Sequence, residues 1–273
     1  MDIQNKNTFN KFLLDDVARR IGCYTLYRYR PINPNEIDAL VKGYLWFSSA
    51  NDLNDPFEGC IKLKEVEQDT TMEISLNFSI SRNGGTPKVE EKKFEIPNLI
   101  QQSNDWYKRH FKWMLPRTKV CCFSKSKTNE LMWSHYANNH EGMVLEYDIS
   151  FDLNLFQYAI PVIYHDRLPE INFMAQKDKS IVSVLKNKSD RWCYEQEVRI
   201  INDNPAGAPN RVPINPESLR SVIFGYRTSK EDRERIKTAL VKFPHIKYKQ
   251  CRLSEDDYEL IIEAASHNVE DKD

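Results

Sequence analysis

Glycine is scarce: 8 of 273 residues, at 22, 43, 59, 84, 85, 142, 207 and 225, well under the usual ~7%. That spacing leaves neither GxGxxG nor GxxxxGK followed by Ser or Thr. Those loops need close glycines so that backbone N–H groups can reach a phosphate, so dinucleotide redox enzymes of the usual kind and P-loop NTPases are excluded. The six cysteines (23, 60, 121, 122, 193, 251) contain no CxxC, and their only close pair is adjacent, too tight for zinc-type spacing and strained as a disulfide. They read as reduced thiols. Net charge is also missing, 39 Lys plus Arg against 40 Asp plus Glu, which argues against a surface built throughout for polyanions. No window approaches ~18 uninterrupted apolar residues, and the polar start, Met1 to Asn10, lacks an apolar signal segment. A cytoplasmic protein without membrane association is the expectation.

What is present is a core: 40% hydrophobic and 11% aromatic residues are enough to bury a sizeable interior. Phe9, Phe12, Leu13, Val17 and Ile21 recur at helical spacing before Gly22. CYTLYRYR, residues 23–30, alternates as a strand that puts Arg28 and Arg30 on one face. Asn33, Pro34 and Glu36 start a short helix that Gly43 stops, giving 34–42, and 44–49 reads as a second strand. NDLNDPFEG, 51–59, is an ordered turn region. Residues 60–96 look like an inserted hairpin with its tip at Asn83, Gly84 and Gly85. Helices are expected at 104–115, 128–139, 174–195 and 229–242, and strands at 120–124, 142–148, 156–164, 198–202, 221–224, 246–252 and 258–263. Without a regular βαβ beat, the class is α+β: one domain, 1–273, with a mostly antiparallel sheet and flanking helices.

Four groupings could carry chemistry. Residues 101–128 hold seven Lys or Arg against Asp105 alone, interleaved with Trp106, Tyr107, Phe111 and Trp113, a pattern that suits single-stranded nucleic acid through Lys108, Arg109 and Lys112. The plainer reading is an amphipathic helix with Tyr107, Phe111 and Met114 facing the core. His135 and His140 do not share a helix face, and Asp52, Asp55 and Glu58 lack the spacing of a calcium loop, so no metal is expected. Glu195 and Glu197, two apart at the start of an apolar strand, point the same way. Such a pair suits catalysis on a sugar, one carboxylate at the anomeric centre and one as base. The plainer reading makes them a solvated edge, with Glu197 paired to Arg199.

TLYRYR, LWFSSANDLNDPFEG, CCFSKSKTNELMWSHYANNHEGMVLEYD and WCYEQEVRII together resemble the bacterial family of unknown function DUF2971, over roughly residues 24–263. That resemblance implies no activity, but its blocks supply Asn54, Asp55, Trp133, His135, Tyr136, Glu195, Glu197 and Arg199 as site candidates. If they converge, Trp133 and Tyr136 could sandwich a planar ring and His135 could shuttle a proton near neutral pH; singly, Trp133 and Tyr136 read equally as core aromatics.

The order of a strand with Arg28 and Arg30, a strand ending in Ser48 and Ser49, and Glu195-Gln196-Glu197 also resembles the layout of NAD-using ADP-ribosyltransferases. That resemblance implies split sheets, an arginine (Arg28 or Arg30) on the dinucleotide, a supporting serine (Ser48) and Glu197 on the nicotinamide ribose. About 150 residues separate Ser48 from Glu197, more than a compact toxin-like domain needs, which requires the insertion to be real. The first expectation is therefore an NAD-using ADP-ribosyltransferase-like enzyme, a toxin or defence effector, with NAD as substrate and a small-molecule nucleotide as partner. Its catalytic residues are Glu197, Glu195, His135 and Ser48; Arg28, Arg30, Asn54, Asp55, Trp133, Tyr136 and Arg199 bind the dinucleotide. The alternatives are a nucleic-acid-binding module using 101–128 and a metal-dependent hydrolase at Asp52, Asp55 and His135. The sequence sets no oligomeric state.

Overall fold

The structure, a computed structural model, describes residues 3–63, 72–80, 88–96, 99–171, 181–204 and 206–264. Its centre is a mixed, mostly antiparallel sheet flanked by helices, the expected α+β class. The strand order is Leu260–Ala264, Lys247–Leu253, Leu219–Phe224, Met143–Asp148, Thr25–Arg30, Lys119–Ser124, Glu197–Asn202, Ala159–Pro161, with Ser48–Ser49 pairing beside Lys119–Ser124. Leu219–Phe224 and Lys247–Leu253 run parallel, which needs a crossover connection, supplied by helix Lys230–Ala239.

The sheet changes character in the middle. Thr25–Arg30 pairs with Met143–Asp148 over six residue pairs, but with Lys119–Ser124 at a single pair, Tyr27 with Ser124. Five strands on one side and four on the other are thus joined at one point, and the candidate site lies at that split.

Core residues alternate across the sheet as pleating demands. Leu26, Phe123, Leu145 and Val198 pack with Val17 and Ile21 of helix Ile3–Ile21 on one face. Their neighbours Tyr29 and Val144 pack with Met132 and Trp133 of helix Glu130–Tyr136 on the other. A further cluster joins Tyr107, Phe111 and Met114 of helix Leu99–Met114 to Val120, Val184 and Leu185. The helix spacing of those three residues therefore serves the core, as the plainer reading held.

Helix Pro34–Lys42 has the bounds its signals predict: Asn33 Oδ1 accepts from Glu36 N–H at 3.0 Å, Pro34 opens it, and Gly43 ends it at φ 67°. Met72–Ile80 and Lys88–Ile96 form the antiparallel hairpin; its expected tip at 83–85 lies outside the described residues.

Several expectations need correction. Strand 44–49 divides at Phe47, whose backbone turns to Asn210, so Tyr44–Trp46 pairs with Arg211–Pro213. Strand 156–164 divides into Ala159–Pro161 and Ile163–His165. In place of a helix over 174–195, residues 181–195 form helix Ile181–Leu185, strand Asn187–Ser189 and a 3-10 turn Asp190–Glu195; 174–180 lie outside the described residues. Lys188 is drawn into pairing with Tyr164 and two carboxylates, which outweighs local helix propensity.

Helix 128–139 ends at Tyr136 because Asn138, Asn139 and His140 all take left-handed backbone, φ 48°, 51° and 71°. That turn aims the His140 carbonyl at Gly225, where an added Cβ would lie 1.9 Å from it. Neither backbone can yield. Gly225→Ala is accordingly expected to cost at least about 2 kcal/mol by overpacking, read as a lowered urea midpoint.

Candidate active site

Arg199 is the anchor of the site. It is one of the largest fully buried side chains, and all five of its N–H donors are used. Nε and Nη2 donate to Glu197 at 2.7 and 3.0 Å, Nη1 and Nη2 to Glu58 at 2.6 and 2.8 Å, and Nη1 also to the Leu185 carbonyl at 2.6 Å. A guanidinium held this way cannot rotate, so it fixes both carboxylates.

Glu197 is saturated in turn. Beyond the two bonds from Arg199 it accepts from Lys188 Nζ at 3.1 Å and from the Cys122 thiol, which fills the four lone-pair positions of a carboxylate. Burial pushes its carboxyl pKa up, but Arg199 and Lys188 outweigh that and hold it at about 2. Glu195 differs. Its Oε2 takes the second Lys188 bond and its Oε1 accepts from Tyr136 Oη at 2.6 Å, which leaves lone pairs for a ligand. Burial raises its pKa against the pull of Lys188. Asn54 Nδ2 donates to Tyr136 Oη at 2.7 Å, so Tyr136 relays an amide of the 51–59 turn to the carboxylate.

The two glutamates do meet, but not by strand alternation. Glu195 closes the 3-10 turn, Gln196 takes left-handed backbone at φ 45°, and Glu197 opens the strand Glu197–Asn202. The left-handed residue swings both side chains onto Lys188. Tyr164 Oη accepts the Glu197 N–H at 2.8 Å, and Ser124 Oγ donates to the Glu195 carbonyl at 2.6 Å, which holds this corner from both sides.

Beside it lies a cavity of about 250 Å³ in the split of the sheet, lined by Arg28, Arg30, Ser48, Asn54, Tyr136 and Glu195. Glu197, Arg199 and Lys188 also line it. Arg28 donates to the Trp46 carbonyl at 2.9 Å. Arg30 pairs with Glu36 through Nη2, while its Nε is buried with no hydrogen-bond partner among the described residues. Eight of the eleven candidates from the sequence thus face one cavity.

Three do not. Asp55 is buried and accepts from the Phe57 N–H at 2.9 Å, which ties its own turn. Trp133 is fully buried, its Nε1 donating to the Lys127 carbonyl at 3.0 Å and its ring edge-on to Tyr29, so it sandwiches no ligand. His135 is exposed, its ring 6.5 Å from that of Tyr194, and it does not line the cavity. Asp52, Asp55 and His135 do not come together, and no group of three or more His, Cys, Asp or Glu among the described residues could hold a metal ion.

Sequence reasoning missed Lys188 and Tyr164, and it weighed Glu58 only for a metal. A usable signal existed: two buried glutamates flanking one residue require cations beyond Arg199. Lys188 lay within reach in sequence, concealed by the helical reading of its segment.

Glu197 therefore belongs to the fold as well as to the site. Glu197→Gln would leave Lys188 and Arg199 short of a buried counter-charge, at a cost of roughly 3–5 kcal/mol, measurable by urea denaturation at neutral pH. The stability its ionised form contributes is present above its ordinary value of 4.5 and lost as pH falls towards about 2. The gap between wild type and Glu197→Gln should accordingly narrow over that interval.

No curated protein and no solved structure matches the chain. None of its helices, among the described residues, is long and apolar enough to cross a membrane. Residues 132–200 match the model of the family described as protein of unknown function, DUF2971, a stretch that takes in helix Glu130–Tyr136 from Met132, the Lys188 strand, Glu195, Glu197 and Arg199, most of the charged floor of the cavity.

Proposed function

We propose that the chain is an NAD-using enzyme of the ADP-ribosyltransferase type, working in the cavity at the split of the sheet. The observation that carries this reading is the convergence of Arg28, Arg30, Ser48, Glu195 and Glu197, from segments far apart in sequence, on that one cavity. The volume, about 250 Å³, is below the ~300–1,000 Å³ usual for drug-sized ligands and suits the glycosidic end of a dinucleotide better than the whole of it.

The roles follow from capacity. Glu195 retains free lone pairs and a raised pKa, so it is the base that takes the proton of the incoming hydroxyl, water included. The bond from the ribose anomeric carbon to nicotinamide breaks, nicotinamide leaves with the electron pair, and the nucleophile's oxygen bonds to that carbon. Glu197 is saturated and stays ionised, so it contributes a fixed negative charge near the positive centre that develops and holds Lys188 in place. Tyr136 and Asn54 orient Glu195. The unpartnered Nε of Arg30, with Arg28 beside it, offers donors for the diphosphate.

Glu195→Gln is the variant to test, because Lys188 keeps Glu197 as a partner and the fold should persist. Nicotinamide release, with and without cell lysate as a source of acceptors, is expected to fall by about 10²-fold or more, and Tyr136→Phe should lower it by a smaller factor. Wild-type turnover by a folded Glu195→Gln, or no release by wild type in either condition, would overturn the reading.

A further inference from the structure

Helix Leu99–Met114 buries Tyr107, Phe111 and Met114 yet leaves Trp106 and Trp113 at 52% and 44% exposure. Neither tryptophan lines the candidate active site. They are organised nonetheless. The His110 ring lies parallel to Trp106, 7° between planes and 4.8 Å between centroids, and its centroid is 6.1 Å from that of Trp113. Arg117 continues the row: its guanidinium lies 4.5 Å from the centre of the Trp113 ring and donates to the Trp113 carbonyl at 2.9 Å. Steps of 4 and 3 residues put the three rings on one stripe of the helix, and Arg117, just past the helix end, joins them through its contact with Trp113. Around the helix from that stripe, facing away from the core, stand the exposed Lys108, Arg109 and Lys112.

A row of flat rings beside a cluster of cations fits an unpaired polynucleotide strand, whose bases stack on aromatic faces while its phosphates meet Lys and Arg. A duplex keeps its bases stacked on each other and offers no ring faces. A membrane surface would call on a broad apolar face beside the cations, and Tyr107, Phe111 and Met114 of this helix are already spent in the core, which leaves the two tryptophans alone to fill that part. The charge agrees: Lys108, Arg109, Lys112 and Arg117 stand against Asp105 alone over residues 105–117 of a chain whose net charge is −1. We propose that this face binds single-stranded nucleic acid, with bases stacking on Trp106 and Trp113 and phosphates held by Lys108, Arg109 and Lys112. The proposal is independent of the NAD reading, because it uses no residue of the cavity.

The experiment is fluorescence anisotropy of short labelled oligouridylate and oligothymidylate with the full chain, in the absence of NAD, over a series of salt concentrations. Trp106→Ala and Trp113→Ala, checked for folding by circular dichroism, should each weaken binding about tenfold. Each Lys→Ala at 108 or 112 should make the log–log salt slope shallower by about 0.7. No binding at low salt overturns the proposal. So does binding that depends on salt but not on either tryptophan, or attachment to phosphatidylserine vesicles without binding to the oligonucleotides.

Discussion

Everything at the candidate site depends on one guanidinium taken out of water. Arg199 can be buried only because each of its N–H donors finds an acceptor, and those acceptors come from three stretches of chain: Glu58, the Leu185 carbonyl and Glu197. From Glu197 the connection runs through Lys188 to Glu195, and then through Tyr136 to Asn54. A turn, a helix end, a short strand and the main sheet are thereby held in one arrangement. Ion clusters of this kind are seldom more stabilising than a well-packed apolar core of equal volume, because desolvation offsets most of the attraction. What this one provides is a single geometry, since any displaced member leaves a charge buried without a partner.

The same cluster separates two chemically identical side chains. Glu195 and Glu197 share Lys188, but only Glu197 also faces Arg199, so one is held ionised while burial dominates the other and raises its pKa. Two carboxylates whose environments push their proton affinities apart form a common basis for acid–base assignment.

Much of the frame was legible. The cap residues of Pro34–Lys42, the alternation of the strands around Arg28 and Val144, and the antiparallel strands Met72–Ile80 and Lys88–Ile96 within 60–96 are local signals, and local signals survive into the fold. The site was legible as a set of residues but not as an arrangement. Nothing in YEQEVR indicates that Gln196 takes left-handed backbone, because the reason is tertiary: both flanking carboxylates must reach Lys188. Three residues in the same sequence blocks proved to have other duties. Trp133 fills space against Tyr29, Asp55 ties a turn and His135 faces outward; proximity to a reactive residue in sequence does not separate support from chemistry. The exposure of Trp106 and Trp113 was legible, since the helical period that puts Tyr107, Phe111 and Met114 on the core face leaves both tryptophans off it.

The single residue pair that joins Thr25–Arg30 to Lys119–Ser124 has a mechanical consequence. Elsewhere in the sheet, backbone hydrogen bonds set the spacing of neighbouring strands. At this seam, beyond Tyr27 and Ser124, the spacing is left to side chains, and the cavity occupies the space where further rungs would stand. A molecule lodged there touches both blocks at once and takes the place of the missing rungs. Occupancy would therefore stiffen the whole sheet across its middle, so that the protein's rigidity and the filling of its cavity become one property.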